Sequence, residues 1–118
     1  MTLSPVKADG AITPIYKGGG ISDMDLSFDG TKILFCENVR IHEVNADGTG
    51  RRQITTHTDP HTRHYDACRM PGGKIMFVST ACEQAVPCTG EWYVGNMHLI
   101  DDDGSHERRL CFDQDHDW

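Results

Sequence analysis

No Cys-x-x-Cys pair occurs in this chain, although it carries five cysteines. Zinc-ribbon, thioredoxin-type and c-type haem attachment sites therefore lack the spacing that defines them. Basic runs are equally scarce: no more than two Lys or Arg stand side by side, and 18 acidic against 11 basic residues leave a formal charge of −7. A nucleic-acid binder shows a basic patch or stripe, so nucleic acid is excluded as the expected partner. Apolar runs reach only a few residues, far below the ~20 that a membrane-spanning helix requires, so no membrane span is expected. The opening MTLSPVKADG has neither the basic start nor the apolar stretch of an export signal. An odd cysteine count leaves at least one thiol unpaired in a monomer, while cysteine density of this kind is commoner in oxidising compartments, so the compartment stays open. Helices are hard to place as well. Gly, Pro and β-branched residues interrupt every candidate window, and no apolar stripe of helical period lasts three turns.

What the chain does contain is repetition. LSFDGTKILFCE from Leu26 superposes on CRMPGGKIMFVS from Cys68, so that Lys32, Ile33 and Phe35 fall on Lys74, Ile75 and Phe77 at a spacing of 42 residues. That is about the length of one propeller blade. VNADGTGRRQIT and IDDDGSHERRLC repeat at 56 residues, 14 more, so the second unit carries an insertion. Each unit reads as four strands. DLSF, KILFCE, RIHEVNA and RRQIT are strands a to d of the first, and YDACRM, KIMFVST, WYVGNMHLID and ERRLCF those of the second. Tight turns are expected at Asp29-Gly30, Asp47-Gly48, Gly72-Gly73 and Asp103-Gly104, with type I′ geometry at the Asp-Gly pairs.

The expected fold is therefore all-β, built of antiparallel four-stranded propeller blades. At 118 residues it is an incomplete propeller of about two full blades plus flanking edges. Residues 1–20 read as the end of a preceding blade, 21–56 as the first full blade, 57–112 as the second with an inserted loop at 81–91, and 113–118 as the start of a following blade. Phe35 and Phe77 should occupy equivalent buried positions between blades. Blades are stabilised by stacking on neighbours, so further blades or other chains are the expected partners. A homo-oligomer in which copies close a ring is a further reading.

SFDGTKILFCE followed by RIHEVNADGTGRRQIT resembles the TolB-type, WD-like propeller repeat, in which Ser-Phe/Pro-Asp-Gly leads into an apolar strand and then Asp-Gly-x-x-x-x-x-Leu/Ile-Thr. HYDACRMPGGKIMFVSTACEQAVPC, NMHLIDDDGSHERRL and the terminal DHDW are similar to the propeller portion of proteins like the hydrazine synthase alpha subunit. That narrower resemblance implies an exported, periplasmic parent protein with metal or haem elsewhere, and it carries no catalytic residue onto this segment. Cys82 and Cys88 bracket five residues that include Pro87, a span able to bring two Cα atoms to disulfide distance. The resemblance favours that disulfide. Two free thiols in a reducing compartment is the alternative.

In a four-stranded meander the a–b and c–d turns share one face of the disc, and the b–c loops and d–a connections share the other. THTDPHTRHYD and ACEQAVPCTGE should therefore rise together. His57, His61, His64 and Asp66, with His116 and Asp117 one blade later, make that face the candidate ligand site, with His61, His64 and His116 as candidate metal ligands. Solvated or backbone-bonded loop histidines are the plainer reading. A His64–Asp66 dyad lacks an evident nucleophile, because Cys68 reads as a small buried strand residue. No catalytic residue and no cofactor is assigned to the segment. Trp92, Tyr93 and Trp118 are expected to pack between blades. The leading function is a non-catalytic scaffold for protein or ligand binding within a larger protein. The competing one is part of an exported redox enzyme with a metal or haem environment near the histidines.

Overall fold

The computed structural model describes residues 2–4, 6, 10–82 and 93–111, and among these there are ten β-strands and no helix. β1 (Thr2–Leu3) and β2 (Tyr16–Lys17) form a hairpin. β3 (Ile21–Leu26), β4 (Lys32–Glu37), β5 (Arg40–Asn45) and β6 (Arg52–Gln53) follow as a four-stranded antiparallel meander in sequence order. β7 (His64–Met70), β8 (Lys74–Ser79), β9 (Asn96–Asp101) and β10 (Arg108–Arg109) make a second one. No described helix is long and apolar enough to cross a membrane. Trp92, Trp118, Cys88, His116, Asp117 and most of the 81–91 insertion lie outside the described residues.

The two sheets repeat residue for residue. Phe35 pairs with His42 across β4 and β5, and Phe77 pairs with His98 across β8 and β9. Both innermost strands break register at one place, between Ser22 and Asp25 and between Tyr65 and Cys68, where Asp23 (φ 54°) and Asp66 (φ 51°) turn left-handed. A left-handed residue of this kind is how a strand absorbs an extra residue, and Asp tolerates it better than most.

Turn chemistry differs from the expectation. Only the glycines of Asp29-Gly30, Asp47-Gly48 and Asp103-Gly104 have positive φ. Each Asp carboxylate instead accepts the backbone N–H two residues on, from Thr31 at 3.1 Å, Thr49 at 2.9 Å and Ser105 at 2.9 Å. That bond holds the Asp in ordinary right-handed space, so these are type I turns closed by a left-handed Gly. Both φ are positive at Gly72-Gly73, 83° and 73°, between β7 and β8, and at Asn38-Val39, 50° and 61°, between β4 and β5.

Gly48 and Gly104 also touch the preceding unit. A Cβ on Gly48 would lie 2.5 Å from the Ile15 carbonyl oxygen, and one on Gly104 would lie 2.8 Å from that of Ile54. With φ of 88° and 85° as well, Gly48→Ala or Gly104→Ala should each cost about 1–2 kcal/mol. Urea midpoints check this, and an unchanged midpoint would show that the turns do not meet the neighbouring unit.

Packing between sheets forms two apolar seams. Leu34, Cys36, Ile41 and Ile54 of the first sheet meet Ala67, Ile75, Phe77 and Ile100 of the second. Leu3, with Ile15 and Tyr16, meets Ile21, Ile33, Phe35 and Val44. Phe35 and Phe77 are both buried, one in each seam. Charge crosses the seam as well. Glu43, almost wholly buried, is paired with Arg52 at 3.0 Å on its own sheet and with Arg69 of the next, and Arg69 also reaches Asp102.

Candidate binding face

The connection from β6 to β7 is built from its own side chains. The Asp59 carboxylate accepts the His61 N–H at 2.9 Å, and the Asp59 N–H donates to His57 Nδ1 at 3.1 Å. Arg40 fastens this loop to the first sheet: its guanidinium donates to the carbonyls of Val39 (2.9 Å), Thr62 and Asp59 (3.3 Å). Val39, a β-branched residue at φ 61°, is an uncommon conformer that needs such support. Its carbonyl also receives the His64 N–H at 2.9 Å. Thus the strained turn after β4 anchors the first residue of β7.

The inserted loop leaves from the same place. Thr80 N–H donates to the Arg63 carbonyl at 3.0 Å, and Arg63 N–H donates to Thr80 Oγ1 at 2.9 Å. Cys82 Sγ donates to the Val94 carbonyl at 3.2 Å, which closes the base of the loop. The histidine connection and the described ends of the insertion therefore share one face, opposite the Asp-Gly turns. Cys82 is a free thiol here; its expected partner Cys88 lies outside the described residues.

The described candidate residues differ in burial, and His57 is half-buried. His64 is fully buried, its ring edge-on to Phe77 at 5.2 Å and to His57 at 6.1 Å. Neither ring nitrogen has a hydrogen-bond partner. Burial pushes its pKa down to about 4, with Glu107 opposing and Arg40, His57 and His98 reinforcing the shift. His61 and Asp66 are exposed. Asp66 has its pKa raised by partial desolvation and then by the negative charge of Asp23 on the first strand of the neighbouring sheet. It does not act as the orienting partner of His64. His116 and Asp117 lie outside the described residues.

Sequence reasoning missed His98, Glu107 and Arg40. His98 Nδ1 lies 3.1 Å from Glu107 Oε1, and the His98 ring packs on Phe77 at 5.6 Å, so His57, His64, Phe77, His98 and Glu107 form one continuous cluster. The signal was present: His42 and His98 hold the same place in the two repeats, each beside a Phe. Among the described residues no three His, Cys, Asp or Glu side chains converge as a metal-ligand set. Cys36, whose thiol donates to the His64 carbonyl at 3.2 Å, is buried in the core. Tyr93 is not packed between blades but exposed.

No family model and no curated protein matches the sequence. Solved structures do match. A protein assigned as TolB from Agrobacterium tumefaciens superposes with a TM-score of 0.67 over 92% of this chain at 23% identity. The fold is part of a TolB-like β-propeller. The chain spans 40% of that neighbour's length. At this identity the likeness concerns fold alone, and the hydrazine synthase resemblance gains nothing from it.

Proposed function

We propose that this chain is a non-catalytic segment of a TolB-like propeller in a larger protein, and that it serves as a rigid scaffold whose connection face binds a protein or ligand. The observation that carries this reading is the convergence of the β6–β7 connection and the inserted loop on one face, fixed by Arg40 and the Thr80–Arg63 bonds. Loops held on a rigid sheet scaffold are where propellers and other β folds place recognition. The opposite face offers short turns that satisfy their own hydrogen bonds. His57 and His61 would meet the ligand, while His64 supports the loop from below.

An exported parent, as the hydrazine synthase resemblance implies, would let Cys82 and Cys88 pair and stiffen the insertion, with further blades or other chains as neighbours. A photo-crosslinker at position 61, compared with one at Thr49 on the turn face, tests the binding face in the parent protein. Adducts should form several-fold more often from position 61. Equal yields, or adducts from position 49 alone, would overturn it.

A further inference from the structure

The seam between the two full sheets supplies a pattern for the seam before it. Ile15 N–H donates to the Leu3 carbonyl at 2.9 Å as Ile54 N–H donates to the Ile41 carbonyl at 2.8 Å. Leu3 and Ile15 therefore stand where Ile41 and Ile54 stand, and β1–β2 is the outer, c–d half of a blade. On the facing sheet, Ile33, Phe35 and Val44 take the places of Ile75, Phe77 and Ile100. Among the described residues this first seam has no counterpart of Leu34 and Cys36, which lie on the strand b of the first full sheet.

The facing side chains are correspondingly exposed. Pairing places Leu26 beside Ile33, as Arg69 is beside Ile75, and Met24 takes the place of Ala67. Met24 is 65% exposed where Ala67 is 5%, and Leu26 is 60% exposed. Among the described residues β1 pairs only with β2, and no described strand covers its other edge beside these two apolar side chains.

We propose that this groove, formed by the β1 edge, Met24, Leu26 and Ile33, takes a β-hairpin of the same repeat type as Ile21–Glu37. Its second strand adds antiparallel to β1 and sets two alternate apolar side chains against Met24 and Leu26. An open strand edge asks for backbone donors and acceptors, and the adjoining apolar surface asks for side chains of period two, which together specify a strand. The groove also continues an interface already built on its outer half by Leu3, Ile15 and Tyr16. In the complete seam Asp25 Oδ2 accepts the Arg69 N–H at 3.1 Å, so an acidic residue on the first strand, facing the Leu26 backbone, completes the match. A second copy of this chain is a poor occupant. Its a–b hairpins are already committed, β4 to β5 and β8 to β9 along their full lengths.

This inference rests on the propeller reading of the chain but not on its ligand face, so its test is separate. A copy of residues 21–37, carrying Met24→Leu within the copy, is joined through a glycine-serine linker ahead of residue 1, and hydroxyl-radical oxidation is read by peptide mass spectrometry. Met24 oxidation should fall several-fold, while Met70, exposed on the turn face, keeps its rate. Adding Leu26→Asp to the extended chain should restore the oxidation of Met24; Leu26 is exposed enough for the variant to fold. The cyclised hairpin peptide added in trans to the unextended chain gives the same reading if the fusion disturbs folding. Unchanged Met24 oxidation in both formats would overturn the proposal. So would protection of Met24 in the unextended chain that grows with its own concentration, which would name a second copy as the occupant.

Discussion

Truncating Phe77 to alanine is expected to remove about 3–5 kcal/mol of stability, and Phe35→Ala about as much. Phe77 is fully enclosed between the sheets, in one cluster with Leu34, Ile41, Ile54, Ile75 and Ile100. Its ring also separates His64 from His98 at 5.2 and 5.6 Å. Removing it therefore opens a cavity and leaves two buried imidazoles without their apolar neighbour. Phe35 makes the matching contacts with Tyr16 at 5.2 Å and His42 at 5.6 Å. Denaturant midpoints for both variants, with Phe77→Leu as a graded control, check this, and a loss below about 1 kcal/mol would refute core placement.

Acid should destabilise the fold as soon as pH falls below 6.5. His64 has an ordinary pKa of 6.5 and is held down to about 4 by burial. Its folded form thus resists a proton that the unfolded chain accepts, so the contribution is fully present above pH 6.5 and is lost as pH falls towards 4. That interval corresponds to about 3 kcal/mol. His42, also lowered by burial, acts in the same direction. His64→Phe should flatten the decline between pH 6.5 and 4 and be nearly neutral at pH 7.5, because it replaces a buried ring with two unpartnered nitrogens by an apolar one. An identical pH profile for the variant would show that the His64 environment is not as described. Glu37, lowered by its bonds to Arg51 and Tyr16 against the opposing effect of burial, and Glu107, lowered first by His98, add their losses in more acid solution.

Strand order was legible because the repeat is written in residues that the fold uses twice. Ile33, Phe35, Ile75 and Phe77 alternate on strands buried from both sides, and the Asp-Gly pairs mark where the meander reverses. Turn type was not legible from the dipeptide. The Asp carboxylates satisfy the next N–H groups, a local competition that holds Asp out of the left-handed region. The left-handed Val39 was unreadable for the opposite reason, since its support comes from Arg40 and from the start of β7, both supplied by tertiary contact.

The site divides in the same way. Loop composition pointed to the face, through His57, His61 and His64, but not to burial. His64 reads like its neighbours in the sequence and is set apart only because it begins a strand under a covered sheet. His98 and Glu107 lie over 30 residues further on, and only the register of β8 with β9 and β10 brings them to Phe77. Tyr93, an aromatic in a sequence that reads as strand, is exposed because regular pairing of β9 begins at Asn96, beyond it.

Proton–proton contacts from the two phenylalanine rings, measured by NMR on the isotopically labelled chain, test the stacked-blade account most directly. The account predicts contacts from Phe77 to the methyls of Leu34, Ile41 and Ile54 on the other sheet, and from Phe35 to Leu3 and Ile15. Contacts confined to each ring's own sheet, or Phe77 meeting Leu3 in place of Ile41, would contradict it.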